Sequence, residues 1–196
     1  LVLSGLLQAN AAITVGSYTV GSGGTYATLS DAIADIGTMS GNIELNILPG
    51  TYTGTGWQLA VPALSGSSSS NRLIIQPSSS TVTISGAGTS TDNYIIKMDG
   101  AAYVTIKNIT IENTDQTYGR VIDFEGAAAY DSVIGCTLTG PSIADKSTDL
   151  AVIASDDASS ISNVVVYNNT IQNGSVGIYW WASSATTADD VFSQNT

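Results

Sequence analysis

From Asn93 to Thr196 the chain writes one short pattern of apolar and polar positions four times. Thr110, Thr137, Thr170 and Thr196 mark matching positions, spaced by 27, 33 and 26 residues. Around them run Val104-Thr-Ile-Lys-Asn-Ile-Thr-Ile111, Asp131-Ser-Val-Ile-Gly-Cys-Thr-Leu138, Val164-Val-Val-Tyr-Asn-Asn-Thr-Ile171 and Asp190-Val-Phe-Ser-Gln-Asn-Thr196. Four residues before each Thr stands an apolar residue: Ile106, Val133, Val166 and Phe192. One residue after it stands another in three copies: Ile111, Leu138 and Ile171. The copies are β-branched, rich in Asn, Ser and Thr, and lack a helical period, so each predicts short strands joined by tight turns. One copy cannot bury its own apolar side. Copies stacked about 4.8 Å apart bury a continuous core. A fixed repeat of this size therefore predicts an all-β chain folded as a right-handed parallel β-helix.

Upstream of the repeats the same alternation is present with less regular spacing. Tyr18-Thr-Val20 predicts a strand that enters a Gly-rich turn. No Gly-Lys-Ser/Thr follows that turn, so it opens no phosphate loop. Leu29, Ala32, Ile33 and Ile36 share one helical face, with Thr28 or Ser30 as cap and Gly37 as stop. This predicts a short capping helix near residues 28–37 that plugs the apolar end of the solenoid. Asn42 to Leu48 alternates as a strand, closed by Pro49-Gly50-Thr-Tyr52. Trp57 to Val61, Leu73 to Gln76 and Val82 to Ser85 carry the next strands, with Ser65 to Ser70 as a polar loop.

Residues 1–11 end in Ala9-Asn10-Ala11 after an apolar stretch, which reads as the end of a secretory signal peptide. The alternative is a retained apolar strand able to pair with a neighbouring subunit. Both readings point to export. Residues 12–196 form one β-helix domain whose last copy stops mid-coil at Thr196, an edge for further coils or for head-to-tail self-association into fibres.

Composition narrows the function classes. Charged residues make up 11% of the chain, against about 25% in ordinary globular proteins. The net charge is −11, and only Arg72, Lys97, Lys107, Arg120 and Lys146 are basic. Phosphate neutralisation by clustered cations is out of reach, so nucleic acid and anionic membranes are not expected partners. No apolar run is long enough to span a membrane. The chain has no His, which removes the commonest general base and metal ligand. The lone Cys136 lies inside a repeat and reads as a buried structural thiol.

Gly21-Ser-Gly-Gly-Thr-Tyr-Ala-Thr-Leu-Ser-Asp-Ala-Ile33, Leu48-Pro-Gly-Thr-Tyr52 and Val82-Thr-Ile-Ser-Gly86 together resemble the start of pectin-lyase-like right-handed β-helix proteins. Pectin methylesterases share that opening pattern. That resemblance implies the fold over most of the chain. It would also lead one to expect a Gln, two Asp and an Arg in set motifs. Ile122-Asp-Phe-Glu-Gly126 is the nearest match and lacks the remainder of the aspartate motif. No Gln-Asp-Thr is present, and no Arg stands in a Gly-Arg-Pro context. The chain looks more like the non-catalytic β-helix segments of bacterial surface proteins and adhesins, which are secreted or held at the cell surface.

Candidate chemistry follows from aligning one strand of each copy: Ile96-Lys-Met-Asp99, Ile122-Asp-Phe-Glu125, Ile153-Ala-Ser-Asp156 and Tyr179-Trp-Trp-Ala182. Strand alternation puts Ile96, Met98, Ile122, Phe124, Tyr179 and Trp181 inward. It leaves two outward columns, Lys97–Asp123–Ala154–Trp180 and Asp99–Glu125–Asp156–Ala182. The three stacked carboxylates Asp99, Glu125 and Asp156 repel unless a cation relieves them, and calcium suits such oxygen ligands. Splaying into water is the alternative. Lys97 facing Asp123 predicts a cross-strand ion pair. Lys97 and Arg120 near an acidic column also fit the base and clamp of a polysaccharide lyase. An outward Trp180, with Lys97 and Asp123 beside it, fits a glycan contact. Asn108, Asn168, Asn169, Asn173 and Asn195 recur near turns, where Asn tolerates left-handed backbone and amides can hydrogen-bond along the stack. The leading expectation is an exported, non-enzymatic structural or adhesive module. The alternative is an extracellular protein that binds or degrades polysaccharide.

Overall fold

A computed structural model describes residues 12–155, 161–181 and 189–196 of the chain. Strand β1 (Gly16–Val20) leads to helix α1 (Leu29–Ala34). Five three-strand coils follow: β2 (Ile43–Ile47), β3 (Gly50–Thr53) and β4 (Leu59–Pro62); β5 (Leu73–Pro77), β6 (Val82–Gly86) and β7 (Ile96–Asp99); β8 (Val104–Lys107), β9 (Thr110–Asn113) and β10 (Ile122–Glu125); β11 (Ser132–Ile134), β12 (Thr137–Thr139) and β13 (Ala151–Ser155); β14 (Val165–Tyr167), β15 (Thr170–Gln172) and β16 (Val176–Trp180). Strand β17 (Val191–Ser193) opens another. From β2 onward every third strand pairs in parallel, and β1 pairs with β2, giving three sheets. Sheet A is β1-β2-β5-β8-β11-β14-β17, sheet B is β3-β6-β9-β12-β15, and sheet C is β4-β7-β10-β13-β16. The chain is a parallel β-helix, with α1 as the only α-helix among the described residues.

The repeats set the register. Thr137 pairs with Thr110 and Thr170, Val133 with Ile106 and Val166, and Leu138 with Ile111 and Ile171. Val166 in turn pairs with Phe192. Inward positions form apolar columns with no solvent exposure: Leu45, Ile75, Ile106, Val133 and Val166 from sheet A, Ile84, Ile111 and Leu138 from sheet B, and Ile96, Met98, Ile122 and Phe124 from sheet C. Each such side chain stabilises the fold by about 1.5–3 kcal/mol relative to exposure. Helix α1 buries Leu29, Ala32 and Ile33 at the N-terminal end of the stack. The Thr28 hydroxyl oxygen caps it by accepting from the Asp31 N–H at 3.2 Å.

From the third coil on, sheets A and B meet at a two-residue corner. Its first residue there is left-handed: Asn108 (φ 59°), Gly135 (64°), Asn168 (55°) and Gln194 (56°). Its second residue points inward: Ile109, Cys136, Asn169 and Asn195. There the amides build a ladder. The Asn169 side chain accepts from the Cys136 N–H (2.8 Å) and donates to the carbonyl of Val133 (2.9 Å) and to Asn195 Oδ1 (3.0 Å). Asn195 repeats the pattern one coil on, accepting from the Asn169 N–H and donating to the Val166 carbonyl. Cys136 fills the same position a coil earlier, where its thiol lies 3.8 Å from the Ile106 carbonyl. Burial pushes that thiol up to about 11, so it stays protonated. Leaving one of these buried backbone groups unmatched costs about 1–3 kcal/mol.

Aspartates do the equivalent work where sheet C turns into sheet A. Asp131 Oδ1 accepts from the Val104 N–H (2.7 Å), and Asp190 Oδ1 from the Val164 N–H (2.8 Å). Their second oxygens differ. Asp190 Oδ2 accepts from the indole N–H of Trp180 at 3.1 Å. Asp131 Oδ2 is buried and meets no hydrogen-bond partner among the described residues. Burial pushes the Asp131 carboxyl up to about 8, partly countered by the Val104 N–H and the charge of Arg72. The folded state therefore holds this proton where the unfolded chain, with an ordinary carboxyl near 4, releases it. Stability from this group is full below about pH 4 and falls as pH rises towards about 8. The expected loss between pH 5 and pH 8 is up to about 4 kcal/mol, at about 1.4 kcal/mol per unit. Urea denaturation of wild type and Asp131→Asn across that range checks this. The difference between the two should grow in favour of the variant with rising pH, and parallel curves would refute the assignment.

Candidate functional site

The outer face of sheet C carries the chemistry-bearing residues. Register places Ala60, Lys97, Asp123, Ala154 and Tyr179 in one outward column, and Pro62, Asp99 and Glu125 in the next. Lys97 opposes Asp123 along the backbone, yet its side chain turns to the acidic column. Its Nζ lies 3.1 Å from Glu125 Oε2 and 3.9 Å from Asp99 Oδ2. The expected Lys97–Asp123 ion pair is therefore replaced by a diagonal one, within reach because a lysine stem spans neighbouring strands. Burial alone lowers the Lys97 ammonium, but the hydrogen bond and charge of Glu125, with Asp99, outweigh it and leave the group raised. The ammonium thus relieves the repulsion between Asp99 and Glu125 that invited a calcium ion. Asp156, the third member of that column, lies outside the described residues, as do Ala182 and residues 1–11. Among the described residues no three His, Cys, Asp or Glu side chains converge as a metal site requires.

Asp123 points away from the core and is nonetheless 2% exposed. Arg120 covers it, with Nη1 3.4 Å from both carboxylate oxygens. Arg120, itself 5% exposed, also approaches Asp149 Oδ1 at 3.7 Å and donates to the Thr148 carbonyl. Its backbone N–H donates to Asn93 Oδ1. A 3-10 turn at Thr148–Leu150 and the connections before β7 and β10 thus close over this part of the face.

Trp180 corrects the expectation of an outward indole. In β16 it is Ile178 that pairs with Ile153, Tyr179 with Ala154 and Trp180 with Ser155. The strand sits one residue away from the alignment based on Tyr179, and a slip of one reverses every side chain. Trp180 therefore points inward, edge-on to Phe124 (5.3 Å) and Phe192 (4.9 Å). Tyr179 takes the outward column, and Trp181 is 57% exposed. The proposed glycan trio of Trp180, Lys97 and Asp123 is not assembled on one surface.

A polar cleft of about 470 Å³ opens beside Lys97, lined by Gly54, Gly56, Gln58, Thr89, Asp92 and Tyr94. Gln58 Nε2 donates to the Tyr94 carbonyl (2.8 Å) and the Asp92 carbonyl (3.1 Å). The Tyr94 hydroxyl donates to Asp92 Oδ1 (3.0 Å), and Lys97 Nζ lies 5.1 Å from the Tyr94 ring centre. Burial, then the bond to Asp92, raises the Tyr94 phenol. None of Gln58, Asp92 or Tyr94 stands out in the sequence. They come from irregular connections on successive coils, and only coil stacking brings them together.

No protein-family model matches this chain, and no curated protein matches it. Two crystal structures of pectin methylesterase from Aspergillus niger are similar to it. The deglycosylated form is 18% identical with a TM-score of 0.41, over 81% of this chain and 57% of that one. A form retaining an N-acetylglucosamine stub is 16% identical with a TM-score of 0.37, over 85% and 70%. The chain thus spans 57% of the first of these proteins. A likeness this distant carries no argument about chemistry.

The buried pair gives a direct test. Arg120→Ala should lower stability by about 3 kcal/mol by leaving the Asp123 charge buried without its guanidinium. Arg120→Ala/Asp123→Ala should recover part of that loss in urea denaturation. A single variant as stable as wild type would refute the pairing.

Proposed function

We propose that this chain is an exported, non-enzymatic β-helix module with a structural and adhesive role at the cell surface. The observation that carries the reading is the pairing of its two candidate catalytic cations. Lys97 is held by Glu125 and Asp99, and Arg120 by Asp123 and Asp149. Groups so engaged act as fasteners between coils. With Trp180 turned inward and half-buried against the core, the outer face of sheet C offers fixed shape and hydrogen-bonding groups in place of a free base. Pectin and polygalacturonate, incubated with the protein from pH 5 to 9 with and without calcium, should yield no methanol, reducing ends or unsaturated uronates. Release of any of these, abolished in Lys97→Ala, would overturn the reading.

A second reading is a polysaccharide-binding or lyase-type protein, favoured by the cleft of Gln58, Asp92 and Tyr94 beside Lys97. The same incubation separates the two.

The module also has a surface for self-association in this reading. Strand β17 is the last strand of sheet A, and Val191 and Phe192 on it are 45% and 37% exposed. An apolar strand edge accepts a further parallel strand, from another coil or a second copy. Sedimentation velocity should show concentration-dependent end-on assemblies that Phe192→Asp dissolves. A monomer at all concentrations would remove self-association from the proposal.

A further inference from the structure

The corner that leads into sheet A stacks a column of planar side chains. Register sets Arg72, Tyr103, Tyr130 and Asn163 on successive coils, each one residue before the aligned start of a sheet A strand. Tyr103, Tyr130 and Asn163 are all left-handed, at φ 62°, 58° and 57°. Asn accepts that backbone readily, whereas a bulky aromatic there is a conformational outlier. Two consecutive coils thus carry tyrosine where the next uses the residue that local geometry prefers. Strain of this kind on a surface calls for a reason outside the core.

The two rings lie parallel, with centres 4.8 Å apart and planes within 2°. Arg72 braces them. Its Nη2 donates to the Tyr130 carbonyl (2.8 Å), Nε and Nη2 donate to Thr105 Oγ1, and its guanidinium carbon lies 5.6 Å from the Tyr103 ring centre. One face of Tyr130 is covered by Tyr103. The coil beyond presents the shorter Asn163, so the column steps down from phenol to amide, and Tyr130 remains 44% exposed. The result is a ledge with an aromatic floor, with Asn163 at the matching register position one coil on.

We propose that this ledge is a stacking site for a pyranose ring of a neutral polysaccharide. The C–H face of a sugar ring buries apolar area on the phenol, and the Asn163 amide can both donate to and accept from ring hydroxyls. Arg72 is tied within the protein by its hydrogen bonds and positions the tyrosines. A net charge of −11 opposes the approach of a polyanion, which selects neutral over uronate polymers. The ledge is separate from the cleft beside Lys97 and does not depend on any reading of that cleft.

Affinity electrophoresis in native gels containing soluble β-glucan, galactomannan or xyloglucan, with polygalacturonate as the charged control, tests this. At least one neutral polymer should retard the wild type. Tyr130→Asn should weaken that retention about tenfold or more while melting no lower than wild type, because it installs the residue used one coil further on. Asn163→Tyr, which extends the stack over the open face, should block retention as well, and stands as the test if the first variant fails to fold. Lys97→Ala should leave retention intact. Retardation by no neutral polymer or by polygalacturonate alone would overturn the proposal. So would retention that survives a folded ledge variant, or that depends on Lys97.

Discussion

The two-residue corner between sheets A and B constrains the regular part of this molecule, from the third coil on. A chain turning that tightly needs one left-handed residue outside and one buried residue inside, and the buried one must satisfy the coils on either side of it. Ile109 does so by packing alone, Cys136 with a weak thiol donor, and Asn169 and Asn195 with amides. From the third coil on the corner keeps to two residues, so differences in coil length there move elsewhere, whereas in the second coil four residues, Ser78 to Thr81, make the same connection. Connections from sheet B to sheet C run to eight, eleven and three residues in the third, fourth and fifth coils. Irregular chain therefore gathers around sheet C. Every candidate for chemistry apart from the tyrosine ledge lies there.

Charge follows the same logic. A chain this acidic has few cations, and the two at sheet C, Lys97 on β7 and Arg120 in the connection before β10, are spent on neighbouring carboxylates. The pairs sit on different strands and loops, so they hold coils and connections together rather than presenting reactive groups to solvent. Asp131 and Asp190 show how one position can differ in kind along the stack. Both accept a backbone N–H, but only Asp190 has an indole for its other oxygen. Burial of Asp131, whose second oxygen has no hydrogen-bond partner among the described residues, favours its protonated form.

Coil architecture was legible in the Thr spacing, and so was the pairing of Ile106 with Val133 and of Ile111 with Leu138. These positions lie within a few residues of the fixed corner, so counting from the Thr is reliable. Sheet C follows connections of varying length, and counting fails there. From the aligned Thr to the paired Ile is 12 residues in the third coil, 16 in the fourth and 8 in the fifth. Counting therefore places Tyr179 where Ile178 belongs, which reverses the face of Trp180. Strand alternation does set Lys97 opposite Asp123, but a long side chain is free to choose a diagonal partner, and strand register does not decide that choice.

By itself the sequence determined the solenoid, its capping helix, the inward columns near the corner and the acidic, cation-poor surface. All of these depend on local periodicity and composition. The tertiary structure decided which face Trp180 takes, which carboxylate Lys97 meets, the burial of Asp123 beneath Arg120, and the stacking of Tyr103 on Tyr130. Those contacts join residues on different coils through connections of unequal length. Their geometry exists only once the coils are stacked.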